Sequence, residues 1–142
     1  MVGVDHDLMR KCNIMGRAFE FSVNYYHYDS ASLVKKVMTD KRVEYLFEID
    51  DCQDWCDGAF LMSILSYKLK PIKGECADPY AMWFLGYLYK YWMKTRGTSC
   101  REIYKILPFE RFMANFEFYH TQGWEYIIEN AIEAYKLKNY II

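Results

Sequence analysis

The sequence predicts an all-α protein, a compact single-domain helical bundle with at most a short N-terminal strand. Helix-capping signals recur along the chain, apolar residues repeat at helical spacing between them, and 142 residues suit one domain. Hydrophobic residues make up 53% of the chain and aromatic residues 19%, enough to fill a core without a disulfide or a metal. We expect six or seven helices around one central aromatic helix. Residues 17–142 should form the domain, with residues 1–16 loosely held.

The first half of the chain is predicted to be helical after an ambiguous opening segment. Residues 17–28 (RAFEFSVNYYHY) alternate in part between apolar and polar side chains, which is compatible with a short strand or with the first helix. The helices predicted after this segment cover about residues 30–38, 42–47 and 52–68. Asp29 or Ser30 is the expected cap of the first of them, and Asp50 or Asp51 of the last.

The strongest helix signal lies in the second half, where Asp78-Pro79 joins a capping carboxylate to a proline at the first helical position. The predicted helix that follows, about residues 79–95, is apolar nearly all round, which is typical of a central buried helix. Gly97 is suited to end it. Ser99 and Glu102 have the spacing of a capping box. The remaining predicted helices cover about residues 100–107, 108–119 and 124–136.

Charge and hydropathy indicate which kinds of partner and which cellular location to expect. The chain holds 18 Lys and Arg against 19 Asp and Glu, so nucleic acid is not expected to be the main partner. The first 16 residues mix charges and lack the apolar centre of a signal peptide. The longest apolar stretch, residues 79–93, is too short to span a bilayer. We therefore expect a cytoplasmic protein without a membrane-spanning segment.

Side chains capable of catalysis or metal binding are present, but not in the patterns that such chemistry uses. Cys52 and Cys56 are one helical turn apart, yet no further ligand pair completes a zinc site. His120 lies at a predicted helix end, where histidine commonly bonds a free carbonyl. No nucleophile motif, paired catalytic carboxylates or glycine-rich phosphate loop occurs. We expect no catalytic residues, cofactor or metal, and five free thiols: Cys12, Cys52, Cys56, Cys76 and Cys100.

Two charge clusters remain as candidate functional features. No basic residue interrupts the acidic cluster between residues 44 and 57, from which we predict a partner-binding site. Its residues are Glu48, Asp50, Asp51, Asp54 and Asp57. The second cluster is basic and lies between residues 90 and 105. It comprises Lys90, Lys94, Arg96, Arg101 and Lys105. The alternative for both clusters is that they are two solvated helix faces, facing each other or not.

Three stretches resemble a family of small uncharacterised proteins of Gram-positive bacteria. They are residues 86–92 (GYLYKYW), 102–105 (EIYK) and 119–121 (YHT), and the tail from residue 120 (HTQGWEYIIE) is similar to a shorter family from the same gene neighbourhoods. The likeness covers residues 79–130 well and 17–78 loosely. Genes of this family lie beside genes for ADP-ribosyltransferase-like proteins, an arrangement that resembles a toxin–antitoxin cassette. The matching stretches are of the kind that packs helices together, and the family offers no catalytic residues to carry over to this chain.

The resemblance implies a non-enzymatic, antitoxin-like or accessory protein that binds and restrains a toxin-like enzyme. The acidic cluster or the last two helices would form the interface. One alternative is a DNA-binding regulator of its own operon, using the basic cluster as a helix-turn-helix across Gly97. Another is a phage-derived inhibitor of a host defence system.

Overall fold

Nine α-helices make up the part of the chain that the computed structural model describes, residues 5–48 and 57–140. In chain order they are α1 (His6–Asn24), α2 (Ser30–Thr39), α3 (Lys41–Glu48), α4 (Gly58–Leu69), α5 (Pro79–Arg96), α6 (Cys100–Ile106), α7 (Phe109–Ala114), α8 (Phe116–Tyr119) and α9 (Trp124–Tyr140). These residues form no strand, only one antiparallel bridge between Tyr28 and Lys73. The predicted all-α class is confirmed, with more helices than the expected six or seven.

Local capping chemistry sets most helix boundaries. The carboxylate of Asp29 accepts from the amide of Ser32 at 3.1 Å, and that of Asp78 accepts from the amide of Ala81 at 3.1 Å. The hydroxyl of Ser99 accepts from the amide of Glu102 at 3.2 Å. Gly97 ends α5 in the left-handed region at φ 63°. These caps occupy donors and acceptors that a helix end leaves unpaired, as the sequence predicts.

The opening segment differs from its prediction, because one long helix covers most of it. α1 begins at His6, behind an Asp5 carboxylate that accepts from the amide of Leu8 at 3.0 Å. Residues 6–16, expected to be loosely held, form the first turns of this helix and already contribute buried side chains such as Met15. Residues 17–24 are helical too, so the helical alternative for this segment is confirmed over those residues.

Two other boundaries also differ from the prediction. α4 begins at Gly58 and not at Cys52, because Asp57 is its N-cap and accepts from the amide of Phe60 at 2.8 Å. The helix predicted over residues 108–119 is divided at Asn115 into α7 and α8. The Asn115 amide side chain donates to the carbonyl of Arg111 at 2.8 Å, a local bond that competes with the helical pattern.

The core is centred on α5, as the sequence predicts. Leu85, Leu88 and Trp92 of this helix are buried, and the buried Tyr89 hydroxyl donates to the carbonyl of Leu107 at 2.7 Å. α1 packs along α5 more extensively than any other pair of described helices, and α4 also packs against α1. None of the described helices is long and apolar enough to cross a bilayer.

Candidate partner-binding surface

The acidic cluster lies mainly outside the described residues, and its two ends are described. Asp50, Asp51 and Asp54 fall in the gap between residues 48 and 57. Glu48 is the last residue of α3. Asp57 is exposed, and its carboxylate caps α4. The acidic cluster therefore connects the end of α3 to the start of α4, with Asp57 performing a structural task as well.

A buried lysine holds the end of α3 just before the acidic cluster. Lys90 projects from the central helix with 7% of its surface exposed, and its Nζ donates to the carbonyl oxygen of Phe47 at 2.8 Å. The last carbonyls of a helix have no partner within the helix and carry partial negative charge, so they suit an ammonium group. Lys90 thus has a structural role that its place in a basic cluster does not suggest.

Two further residues of the basic cluster also form contacts within the protein. Arg96 forms ion pairs with Glu125 and Glu129 of α9, each at 2.7 Å. Arg101 donates to the carbonyl of Thr39 at 3.2 Å. Since the fold engages both of these residues internally, as it does Lys90, the basic cluster of the sequence is divided among several contacts.

The feature that the sequence did not predict is a tract of aromatic rings at the surface beside α5. We define this aromatic tract as Tyr80, Trp83, Tyr87, Phe116 and Trp124. Neighbouring ring centroids are 6.1 Å apart from Tyr80 to Trp83, 5.2 Å from Trp83 to Tyr87 and 4.6 Å from Tyr87 to Trp124. Phe116 meets Tyr80 edge-on at 5.8 Å. Tyr80 is 52% exposed, Trp83, Phe116 and Trp124 are half-buried, and Tyr87 between them is buried. The tract therefore presents ring surface to solvent from three helices through four of its five members.

Polar contacts hold this tract in place. The indole N–H of Trp83 donates to the side-chain oxygen of Asn13 in α1 at 2.9 Å. The Tyr91 hydroxyl donates to Glu125 at 2.8 Å and so ties the start of α9 to α5 beside Trp124. Burial and the neighbouring carboxylate raise the pKa of Tyr91 to about 12, while Arg96 and then Tyr91 lower the pKa of Glu125. At neutral pH the Tyr91 hydroxyl therefore stays protonated and the Glu125 carboxylate stays ionised.

Two open notches join the aromatic tract to the acidic cluster. One notch lies between α1 and α4 and is bordered by Asn13, Arg17 and Asp57. The other lies at the start of α5 and is bordered by Arg17, Tyr80 and Trp83. Arg17 borders both notches, and Asn13 borders the first while bonding to Trp83 of the second. The end of the acidic cluster and the aromatic tract therefore belong to one continuous surface across α1.

Two histidines, His27 and His120, have surroundings that are structural. His120 is exposed at the end of α8, where its amide donates to the carbonyl of Phe116 and its ring lies 5.3 Å from the Phe116 ring. His27 is exposed and adopts a left-handed backbone at φ 54° in the loop between α1 and α2. The packing expected for His120 is confirmed by its ring contact with Phe116, while the carbonyl bond at this helix end is made by the backbone amide.

Three of the five cysteines fall in the described residues, and all three are free thiols. Cys12 and Cys100 are buried, whereas Cys76 is exposed and its thiol donates to the carbonyl of Tyr28 at 3.4 Å. Within residues 5–48 and 57–140 no group of three or more His, Cys, Asp or Glu is placed to hold a metal ion. Cys52 and Cys56 lie outside those residues.

Native-state alkylation should separate the thiols by burial. A short iodoacetamide pulse at pH 8 should label Cys76 well before Cys12 or Cys100, because the thiolate is the reactive form and burial raises the pKa of Cys12 to about 12. Peptide mass spectrometry reads each cysteine separately, and the same pulse in urea is the control for intrinsic reactivity. Equal native labelling of Cys12 and Cys76 would contradict the packing of α1 on α5.

Comparison with protein-family models, with curated proteins and with solved structures finds no match to this chain.

Proposed function

We propose that this protein acts by binding, as an antitoxin-like or accessory protein that occludes and restrains an ADP-ribosyltransferase-like toxin. The observation that supports binding best is the half-exposed aromatic tract. Tryptophan and tyrosine dominate the energetic centres of protein interfaces, because they bury a large area with few rotatable bonds. The proposed partner comes from the family resemblance, and the proposed surface comes from the geometry.

The proposed surface is preorganised, which supports a role in recognition. Trp83 is held by Asn13, and Trp124 lies between the Tyr87 ring and the network of Tyr91 and Glu125. A rigid surface loses less conformational entropy on binding than a mobile one, and this difference appears as affinity. The acidic cluster adjoins the same surface through Asp57, and its charge would speed encounter with a basic partner and orient it.

The direct test is co-expression with the protein encoded by the neighbouring gene, followed by pull-down and a growth assay. A stable complex that restores growth supports the proposal. If no complex forms and growth is not rescued, while the protein binds its own promoter with a steep loss of affinity in salt, the DNA-binding regulator replaces it. A chain that destroys the toxin's product catalytically, without forming a complex, would be an enzyme and would contradict the proposal.

Loss of the candidate catalytic side chains should leave neutralisation intact. His27→Ala, His120→Ala and Cys52→Ser are each expected to change partner affinity by no more than about twofold, because a binding mechanism needs neither a nucleophile nor a general base and each substitution is small. His27→Asn is a useful second variant, because asparagine tolerates the left-handed backbone at this position. Loss of function in folded His120→Ala would exclude the proposed binding mechanism and favour catalysis.

A further inference from the structure

The notch at the start of α5 combines aromatic walls with carboxylates. Its volume is about 460 Å³, and it is bordered by Arg17, Glu20, Asp78, Pro79, Tyr80 and Trp83. The rings of Tyr80 and Trp83 are nearly parallel, at 12°, with centroids 6.1 Å apart. Asn13 fixes the Trp83 indole, so this wall is formed before any ligand arrives.

The two carboxylates of the notch are only partly used by the fold. Asp78 accepts from the amide of Ala81 through Oδ2, and Glu20 accepts from the Arg17 guanidinium through Oε1 at 2.7 Å. Among the described residues, the second oxygen of each carboxylate has no protein donor. Two negative groups thus face one positive group, which leaves the notch one net negative charge.

We propose that this notch binds the guanidinium group of an arginine side chain presented by the protein partner, whose existence rests on the proposed function. A guanidinium stacks flat on tyrosine and tryptophan rings while its N–H groups donate to carboxylate oxygens in the same plane. The rings and the unused oxygens of Asp78 and Glu20 supply both kinds of contact side by side. Lysine fits less well, because its ammonium is compact, strongly hydrated and unable to stack.

Electrostatics favours a cation here although the notch lies at a helix N-terminus. The first turn of α5 carries partial positive charge, which would favour an anion if it were bare. Asp78 already occupies that turn and offsets its charge. An anionic ligand would also meet the net negative charge of the notch and the electron-rich ring faces. Both effects oppose a phosphate or an acidic peptide.

The experiment uses small probes and needs no partner. The four tryptophan indole N–H signals of the ¹⁵N-labelled protein are followed during titration with Nα-acetyl-arginine-amide, and Trp83→Phe assigns the signal of Trp83. We expect a saturable shift of the Trp83 signal and little movement of the buried Trp92. Nα-acetyl-citrulline-amide, which has the same shape without the charge, should give a far weaker response. Equal shifts with citrulline, or binding of Nα-acetyl-lysine-amide as tight as that of arginine, would overturn the proposal.

A charge variant tests the carboxylate role without removing the helix cap. Asp78→Asn keeps an oxygen that can cap α5 but loses the charge, and it should weaken arginine binding about threefold to fivefold. Glu133→Gln in the exposed part of α9 is the matched control and should leave binding unchanged. Unaltered binding by Asp78→Asn would overturn the proposal.

The failure of this proposal and the failure of the proposed function give different results. If the arginine probe binds as expected but co-expression yields no complex, the arginine site in the notch is supported and the proposed function is wrong. If a complex forms but the arginine probe gives no response, the proposed function stands and the arginine site in the notch is excluded.

Discussion

Replacing Gly86 with alanine is expected to lower the free energy of unfolding by about 2–3 kcal/mol, the upper part of the ~1–3 kcal/mol that forcing extra atoms into a packed core usually costs. A Cβ atom on Gly86 would lie 2.7 Å from the carbonyl oxygen of Met15 and 2.9 Å from the Cα of Gly16. These are backbone atoms of α1, so they cannot move aside as a side chain could. α1 would have to shift away from α5, and the largest helix contact of the described core would open.

The sign of this prediction is informative, because alanine normally stabilises a helix interior relative to glycine by up to about 1 kcal/mol. The measurement is urea unfolding followed by circular dichroism, with the slope checked for a change in the denatured state. Gly123→Ala is the matched control, since a Cβ at Gly123 meets no atom within 4 Å; it should cost no more than about 1 kcal/mol as a changed helix cap. A Gly86→Ala protein as stable as the parent would contradict the close crossing of α1 and α5.

The sequence predicted those parts of the fold that local chemistry determines. Asp29, Asp78 and Ser99 each cap the helix they were expected to cap, because a cap is a contact between residues two or three apart. The all-round apolar pattern of residues 79–95 likewise predicted the central helix, since only a buried helix tolerates it.

Three other boundaries were not predictable in this way, either because they depend on distant partners or because several residues offer the same local contact. Residues 6–11 of α1 have no buried side chain, and the helix packs on α5 through the close approach of Gly16 and Gly86, 70 positions apart in sequence. The N-cap of α4 is Asp57, whereas Asp50 or Asp51 was the expected cap, because every aspartate of this acidic stretch offers the same acceptor. Asn115 resembles any polar surface residue until its side chain bonds back to Arg111.

For the candidate surface, the sequence indicated the kind of residue involved but not which of those residues reach the surface. The aromatic excess suggested protein binding, but a helix that is apolar all round does not reveal which rings face solvent. Packing decides this: Trp92 is 1% exposed, whereas Trp83 of the same helix remains half-buried beside Asn13. In the same way, Lys90 is indistinguishable from a surface lysine in sequence, and only the position of Phe47 explains its burial.

The acidic cluster offers the prediction with the largest expected effect on function. Its charge can be reversed at Asp50, Asp51 and Asp54 by lysine, while Asp57 is better changed to asparagine. Asp57 caps α4, and lysine there would remove the acceptor of the Phe60 amide and cost about 1 kcal/mol of stability. Asparagine keeps an acceptor and removes the charge, so that a loss of binding is not confused with a loss of folding.

The combined variant should bind the partner ~10-fold more weakly or worse, because like charges brought together at an interface can cost several kcal/mol. The control changes an equal number of charges elsewhere, with lysine at Glu75, Glu102 and Glu133 and glutamine at Glu117, all exposed in the structure. Titration of the purified partner at two salt concentrations measures both variants, and the deficit of the acidic-cluster variant should shrink as salt screens the repulsion. Equal weakening by both variants would mean that the net charge of the protein, and not the position of the acidic cluster, determines the affinity. If only the control weakened binding, the interface would lie away from α3 and α4 and the acidic cluster would be a solvated face.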